Sequence, residues 1–315
     1  MTDTLNNIEE KHKSEVKRWW NSDKTYKWTG EVYDKDSPSY LHLFERREKT
    51  LKFFKNIEKG KKLNVFEFGF GGAKFAEDVL NLGHNYTGVD ISNHLVQNAK
   101  NNNQKFIKNN QAKFYQGSLD EKQSVDSKSI DCVVICGAIH YSTNIQETFE
   151  EINRMLKDDG HLILTQGSMY CLNDLLNFRY LIKSLIWFIS NEKFQYSYSL
   201  SFKDIIFETK LKKFFSRFEK NNFMNSKFMN NHSNQWKYKI RKRLLSYGRC
   251  KKLLIKNNFK ILKTYSGPFL FYPPNKKYFI KSSFDKILKF LCIIKFPLIN
   301  RLGDNQIFLT KKINI

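Results

Sequence analysis

The stretch NVFEFGFGGAKFAEDVL, residues 64–80, decides how the chain is read. An apolar run interrupted by a single acidic residue, Glu67, passes through Gly69, Gly71 and Gly72 into sequence of helical character. Strand, glycine turn and helix in succession bring a backbone close to a ligand. A phosphate loop requires Gly-Lys-Ser/Thr at its end, and here Gly72 is followed by Ala73 and Lys74. A dinucleotide fingerprint requires glycine at the sixth place of GxGxxG, which Lys74 occupies. It would also set a pyrophosphate beside Glu67, which repels it. A cationic ligand resolves the conflict.

S-adenosylmethionine is such a ligand, because a carboxylate at the strand end favours both its sulfonium and its ammonium group. The backbone at Gly69 and Gly71 can approach its methionine and ribose portions where a side chain would clash. Asp90 ends the next apolar run, roughly twenty residues past the turn, where an acidic side chain accepts both ribose hydroxyls. Read alone, Asp90 is equally a cap for the helix beginning near Ser92; paired with Glu67 and the turn, the ribose role is the stronger reading.

Working outward, short apolar runs alternate with amphipathic helices. Strands are predicted at 63–68, 86–90, 112–116, 130–136 and 160–166, with helices at 73–82, 92–101 and 143–156, the last capped by Thr143. Ser37-Pro38 is a helix start, and apolar residues from Tyr40 to Ile57 follow at helical spacing. Gly83 stops the first helix after the turn, and Asp159-Gly160 turns into the fifth strand. Nearly continuous apolar strands between helices predict a parallel sheet covered on both faces and joined by right-handed crossovers. After residue 167 the rhythm breaks, then resumes with a helix at 244–257, strands at 259–265 and 306–311, and a helix near 283–294. The predicted organisation is N-terminal helices or a lid over 1–60, a ligand-binding core over 61–166, a basic helical insertion over 167–243, and completion of the fold over 244–315.

The chain has 315 residues, 41% hydrophobic and 15% aromatic, which supplies a core and excludes a disordered chain. Its net charge of +23 points either to a polyanionic partner or to a compositional excess of Lys shared with Asn, Ile and Phe. Between 208 and 260 sixteen Lys or Arg face only Glu208 and Glu219. The five cysteines form no CxxC and no cluster with histidine, so no metal site or redox pair is expected. The polar N-terminus lacks an apolar signal core, and no apolar run reaches a bilayer span, giving the expectation of a cytoplasmic protein, with peripheral contact at an inner membrane as the alternative.

Taken together, these segments resemble class I S-adenosylmethionine-dependent methyltransferases of the small-molecule type. VFEFGFGGA is similar to the family's first motif, with Glu67 as its acid, Gly69 and Gly71 as its first glycines and Ala73 in place of the third. YTGVDIS resembles the second, with Asp90 as ribose ligand and Ile91 packing on adenine. FYQGSLDE stands where the family has an adenine-binding Asp; that place is Ser118, so Ser118, the Leu119 backbone or Asp120 would substitute. IDCVVICGAIHYS resembles the fourth-strand segment, ending in Cys136. The resemblance implies a Rossmann-like, doubly wound α/β sheet of seven strands in the order 3-2-1-4-5-7-6, with a helical insertion before the last two. It also implies S-adenosylmethionine as cofactor and no metal.

Methyl transfer from a sulfonium rests on alignment, and an oxygen acceptor also calls for a general base. His140, just after the fourth strand, is the candidate base, with Tyr141 beside it; the alternative is a histidine that only packs or orients substrate. Tyr26, Trp28 and Tyr33 with Arg46 and Arg47 are candidate lid residues, and His232 and Trp236 candidate acceptor contacts. The expected acceptor is a hydroxyl of a sugar, lipid-linked sugar or related metabolite. The alternatives are RNA bound by the basic 208–260 region, or a lipid or quinone reached from a membrane surface through the apolar, Lys-bearing segments YLIKSLIWFIS and FDKILKFLCIIKFPLI. A degenerate protein that binds the cofactor without catalysis is a fourth reading, opposed by the intact Glu67, Gly69, Gly71 and Asp90.

Overall fold

A computed structural model describes residues 2–22, 29, 40–168, 245–269, 286–287, 290 and 301–313. Seven strands, β1 (Asn64–Phe68), β2 (Asn85–Asp90), β3 (Ala112–Gln116), β4 (Ile130–Cys136), β5 (Leu156–Gly167), β6 (Phe259–Gly267) and β7 (Asn305–Lys312), form one sheet. Its order is β3-β2-β1-β4-β5-β7-β6. The pairs from β3 through β5 are parallel, and β7 runs antiparallel to both neighbours. The described helices are α1 (Thr2–Trp20), α2 (Tyr40–Glu58), α3 (Lys74–Asn81), α4 (Asn93–Asn102), α5 (Gln104–Lys108), α6 (Ile145–Met155) and α7 (Tyr247–Lys256). The predicted insertion, with His232 and Trp236, and the aromatics Tyr26, Trp28 and Tyr33 lie outside the described residues.

Burial on both faces of the sheet explains its apolar strands. Val65, Tyr86, Phe114 and Ile163 face one cluster, filled by Phe54 of α2, Val79 and Leu80 of α3 and Leu95 of α4. Phe66, Phe68, Val133 and Leu164 face the other, filled by Phe149 and Ile152 of α6 and Leu254 of α7. Because side chains alternate along a strand, Glu67 falls on the same face as Val65. The chain leaves β1 toward β2 and β3, then returns to place β4 on the other side. This reversal opens a crevice at the carboxyl ends of β1 and β4, where such sheets bind ligands.

Local chemistry sets the helix ends. Ser92 caps α4 by accepting from the Leu95 amide. The cap of α6 is Asn144, whose side chain accepts from the Gln146 and Glu147 amides, not the expected Thr143. Thr143 is diverted because its amide and hydroxyl both donate to Asp120, at 2.8 and 2.7 Å. Helix α3 ends at Leu82, with Gly83 at φ 89° just beyond, as expected of a glycine past a helix C-terminus. No separate turn at Asp159-Gly160 precedes β5. The strand already begins at Leu156, and its register against β4 shifts between Ile130 and Cys132, which absorbs the extra residues. Asp131, read as structural, accepts from the Asn64 amide and the Lys157 ammonium, tying β1, β4 and β5 together at the end away from the crevice.

Phe149 is fully buried and meets Phe259 at a ring separation of 6.1 Å. Phe149→Ala is expected to lower stability by about 3–5 kcal/mol through lost transfer energy and a residual cavity. Urea unfolding of the two proteins measures this, and a loss within about 0.5 kcal/mol, typical of surface positions, would remove Phe149 from the core.

Candidate active site

A cleft of about 370 Å³ lies at the crevice, within the usual size of small-molecule sites. It brings together Glu67, Gly69, Gly71, Asp90, Ile91, Ser118, Leu119, Cys136, His140 and Tyr141, the ten residues singled out from the sequence. They come from the ends of four adjacent strands, so their convergence follows from the strand order alone.

Glu67 is 1% exposed, and Tyr86 donates its hydroxyl to Oε2 at 2.6 Å. Burial pushes the carboxyl up to about 7, against the opposing pull of the Tyr86 hydrogen bond and the nearby Arg46. Asp90 is held differently. Its Oδ2 accepts from the Gly71 amide at 3.0 Å and its Oδ1 from the Ser92 amide at 2.9 Å. Burial raises it to about 6, with those amides countering the rise. A buried carboxyl that forms no ion pair among the described residues leaves a place for a ligand cation.

The turn between them is shaped for close approach. Gly69 has φ 66° and Gly71 φ 55°, the left-handed region where a side chain is strained. A Cβ on Gly69 would lie 2.5 Å from the Cβ of Ala138, whereas one on Gly71 would meet nothing within 4 Å. Ala73 takes φ 55° at the place of the family's third glycine, so the departure preserves the backbone shape.

On the adenine side the structure narrows the three substitutes. Asp120 is committed as a brace: Oδ1 accepts from the Ser142 and Thr148 hydroxyls at 2.6 and 2.9 Å, while Oδ2 takes the two groups of Thr143. It does not face the cleft as an adenine ligand. The Ser118 amide donates to Glu121 and its carbonyl accepts from Gln123. The Ser118 side chain and Leu119 are what this edge offers. Cys136 also borders the cleft, but burial drives its thiol up to about 12, so it is no nucleophile.

His140 and Tyr141 stand in a single 3-10 turn after β4, with ring centroids 4.2 Å apart. Trp20, at the end of α1, meets Tyr141 edge-on at 5.8 Å. The Trp20 carbonyl accepts from the Ser92 hydroxyl, and the Asn21 side chain accepts from the His94 amide. Helix α1 is thereby tied to the start of α4, and its Lys13, Val16 and Trp20 line the cleft.

Sequence reasoning named Arg46 only as a lid residue and missed His42 and Asn305, all three of which line the cleft. A Cβ on Gly137, at φ 74°, would run into the Arg46 guanidinium, so that cation lies against the turn after β4. Arg47, its neighbour, forks onto Asp78 at 2.7 and 2.6 Å instead. Nothing in the basic string FERREK separates the two; helix facing does. Asn305 donates to the His42 carbonyl at 3.1 Å, joining β7 to α2 across 263 residues of sequence, a pairing no local signal carries. No group of three or more His, Cys, Asp or Glu able to hold a metal occurs among the described residues. No described helix is long and apolar enough to cross a membrane.

Residues 66–164 match the family profile described as a methyltransferase domain. The magnesium protoporphyrin IX methyltransferase of Synechocystis, solved with bound SAH, superimposes with a TM-score of 0.53 at 15% identity, covering 96% of this chain and 99% of that one. An S-adenosylmethionine-dependent methyltransferase from Mesorhizobium loti gives 0.50 at 12% identity, covering 84% and 96%. At these identities the likeness is one of fold. Protein MJ1252 of Methanocaldococcus jannaschii, described as uncharacterized, is 28% identical over 156 residues. The match spans 50% of this chain and 56% of that relative, about half of each. The strand order, the glycine turn beside Glu67 and the matched profile agree: residues 66–164 carry a methyltransferase domain, on a fold shared with S-adenosylmethionine-dependent methyltransferases.

Proposed function

We propose that the protein transfers a methyl group from S-adenosylmethionine to a hydroxyl of a small-molecule acceptor, a sugar, lipid-linked sugar or related metabolite. The observation that carries this reading is the meeting of His140 and Tyr141 with Glu67 and Asp90 in one ligand-sized cleft. The bound cofactor supplies an electrophilic methyl group on a sulfonium. Glu67 balances its positive charge, the Gly69–Gly71 backbone lets it approach, and Asp90 accepts the ribose hydroxyls. Ile91, Ser118 and Leu119 border the adenine, Cys136 packs beside the methionine portion, and Arg46 receives its carboxylate. His140 takes the acceptor's proton, with the Tyr141 ring packed beside it. The leaving thioether is neutral, so no acid is required. Residues 167–243 are assigned the role of acceptor cap.

With cofactor labelled in its methyl group, label is expected in sugar or lipid-linked sugar fractions. Label in RNA, with binding that falls steeply as salt rises, would replace this acceptor class by nucleic acid.

His140→Ala is expected to lower kcat about 10²-fold or more, as for loss of a general base, while cofactor affinity changes little. Equal turnover would take His140 out of the mechanism.

The raised carboxyl of Glu67 gives a pH dependence of definite sign. A cation binds the ionised form, so cofactor affinity should fall as pH drops below about 7. The unliganded protein should show the opposite trend. The contribution of Glu67 to stability is fully present below its unfolded value of 4.5 and is lost as pH rises through about 7. Thermal shift with and without cofactor therefore should show a larger ligand-induced rise at pH 8 than at pH 6. Glu67→Gln should flatten that difference.

A further inference from the structure

Within β2, Gly88 pairs with Glu67 of β1, and Tyr86 pairs with Val65 two residues back on the same sheet face. Gly88 has no need of glycine for backbone reasons, since its φ is not positive. Its bare Cα serves space instead. A Cβ there would lie 2.8 Å from Tyr86 Cε1, 2.9 Å from the Tyr86 hydroxyl and 2.8 Å from Phe70 Cδ1. The phenol ring thus lies across Gly88, in the slot that a side chain would fill, and reaches Glu67 at 2.6 Å. Tyr86 is 1% exposed and belongs to the hydrophobic core.

On the reading that Glu67 holds the cofactor's positive charge, we infer that Tyr86 is a positioning residue for that cation subsite. Lying over Gly88, it donates its hydroxyl from inside the core to keep Glu67 charged and fixed in direction toward the cleft. The remaining groups around Glu67 cannot do this alone. Arg46 of α2 is the one cation whose field reaches it in that balance, while Asp90 at the end of β2 and Asp78 of α3 oppose its ionisation. Asp78 is itself paired with Arg47, and the Cys136 thiol of β4 is held neutral by burial. A phenol to carboxylate hydrogen bond is charge-assisted and selects the ionised partner. Tyr86 itself is pushed well above its ordinary value by burial and by Glu67, so the proton stays on the phenol.

The test is a pH series from 6 to 9 on wild type, Tyr86→Phe, Gly88→Ala and Glu67→Gln. It uses calorimetric titration with S-adenosylmethionine and with S-adenosylhomocysteine, and thermal melts of the unliganded proteins. In Tyr86→Phe the midpoint of the pH-dependent affinity should move upward. Each unit of movement costs about tenfold in affinity below the midpoint, and the loss should be recovered at pH 9. Gly88→Ala, which pushes the phenol off its seat, should reproduce the shift. An unchanged midpoint in both variants, or a loss of equal size at every pH, would overturn the assignment. The unliganded melts separate the two readings. If wild type minus Glu67→Gln shows a pH transition that Tyr86→Phe moves, the Tyr86 role stands even where neither nucleoside binds, and only the cofactor reading fails. If Tyr86→Phe does not fold, the Gly88→Ala titration decides.

Discussion

A single carboxylate placed inside an apolar sheet is the constraint around which this molecule is organised. Removing Glu67 from water costs several kcal/mol unless charge or hydrogen bonds compensate. The chain supplies partial compensation, one phenol and one nearby guanidinium, but burial still holds the carboxyl up at about 7. Such a group is poised to gain from a cation and has little else to gain from. The left-handed glycines next to it keep the approach open, and the strand order puts it at the point where the sheet's crossovers diverge. A residue of this kind in the middle of a strand would be a defect; near the carboxyl end of β1 it lines the cleft.

Asp90 shows the same logic with different compensation. Two backbone amides, one from the glycine turn and one from the start of α4, fix its two oxygens. The carboxylate that lines the cleft is therefore also the clamp that joins the turn after β1 to the turn after β2. Asp120 does for the next pair of loops what Asp90 does for the first. Its four hydrogen bonds bind the loop after β3 to Ser142, Thr143 and Thr148 behind His140. The Ser118–Asp120 loop and the turn carrying His140 and Tyr141 are thus braced together by partly buried polar contacts.

The convergence of Glu67, the glycine turn and Asp90 in one cleft was legible because its pattern is local. Acid, glycine turn and second acid lie on two consecutive strands, and period-2 burial with a reversal of strand order is enough to converge them. Loop bracing was less legible. Asp120 as adenine ligand and Thr143 as helix cap are each reasonable from sequence, and each fails because the two residues bind one another across 23 positions. The choice of Arg46 over Arg47, the joining of Asn305 to His42, and the use of Gly88 as a seat for Tyr86 all depend on which face of an element meets which neighbour. Composition and spacing carry no trace of that.

Helix α1 bears on how the cleft is closed. The Trp20 carbonyl accepts from Ser92 and the Asn21 side chain from Ser92 and His94, at the start of the helix that follows Asp90. Asn21 there accepts an amide that the helix itself leaves without an intrahelical partner, so the attachment satisfies a need of α4 as well as fixing α1. The Trp20 ring meets Tyr141 edge-on, beside His140. The C-terminal end of α1 is therefore joined to the Asp90 side of the cleft. Strands β5 and β7 and helix α2 also border the cleft, through Gly167, Asn305 and His42.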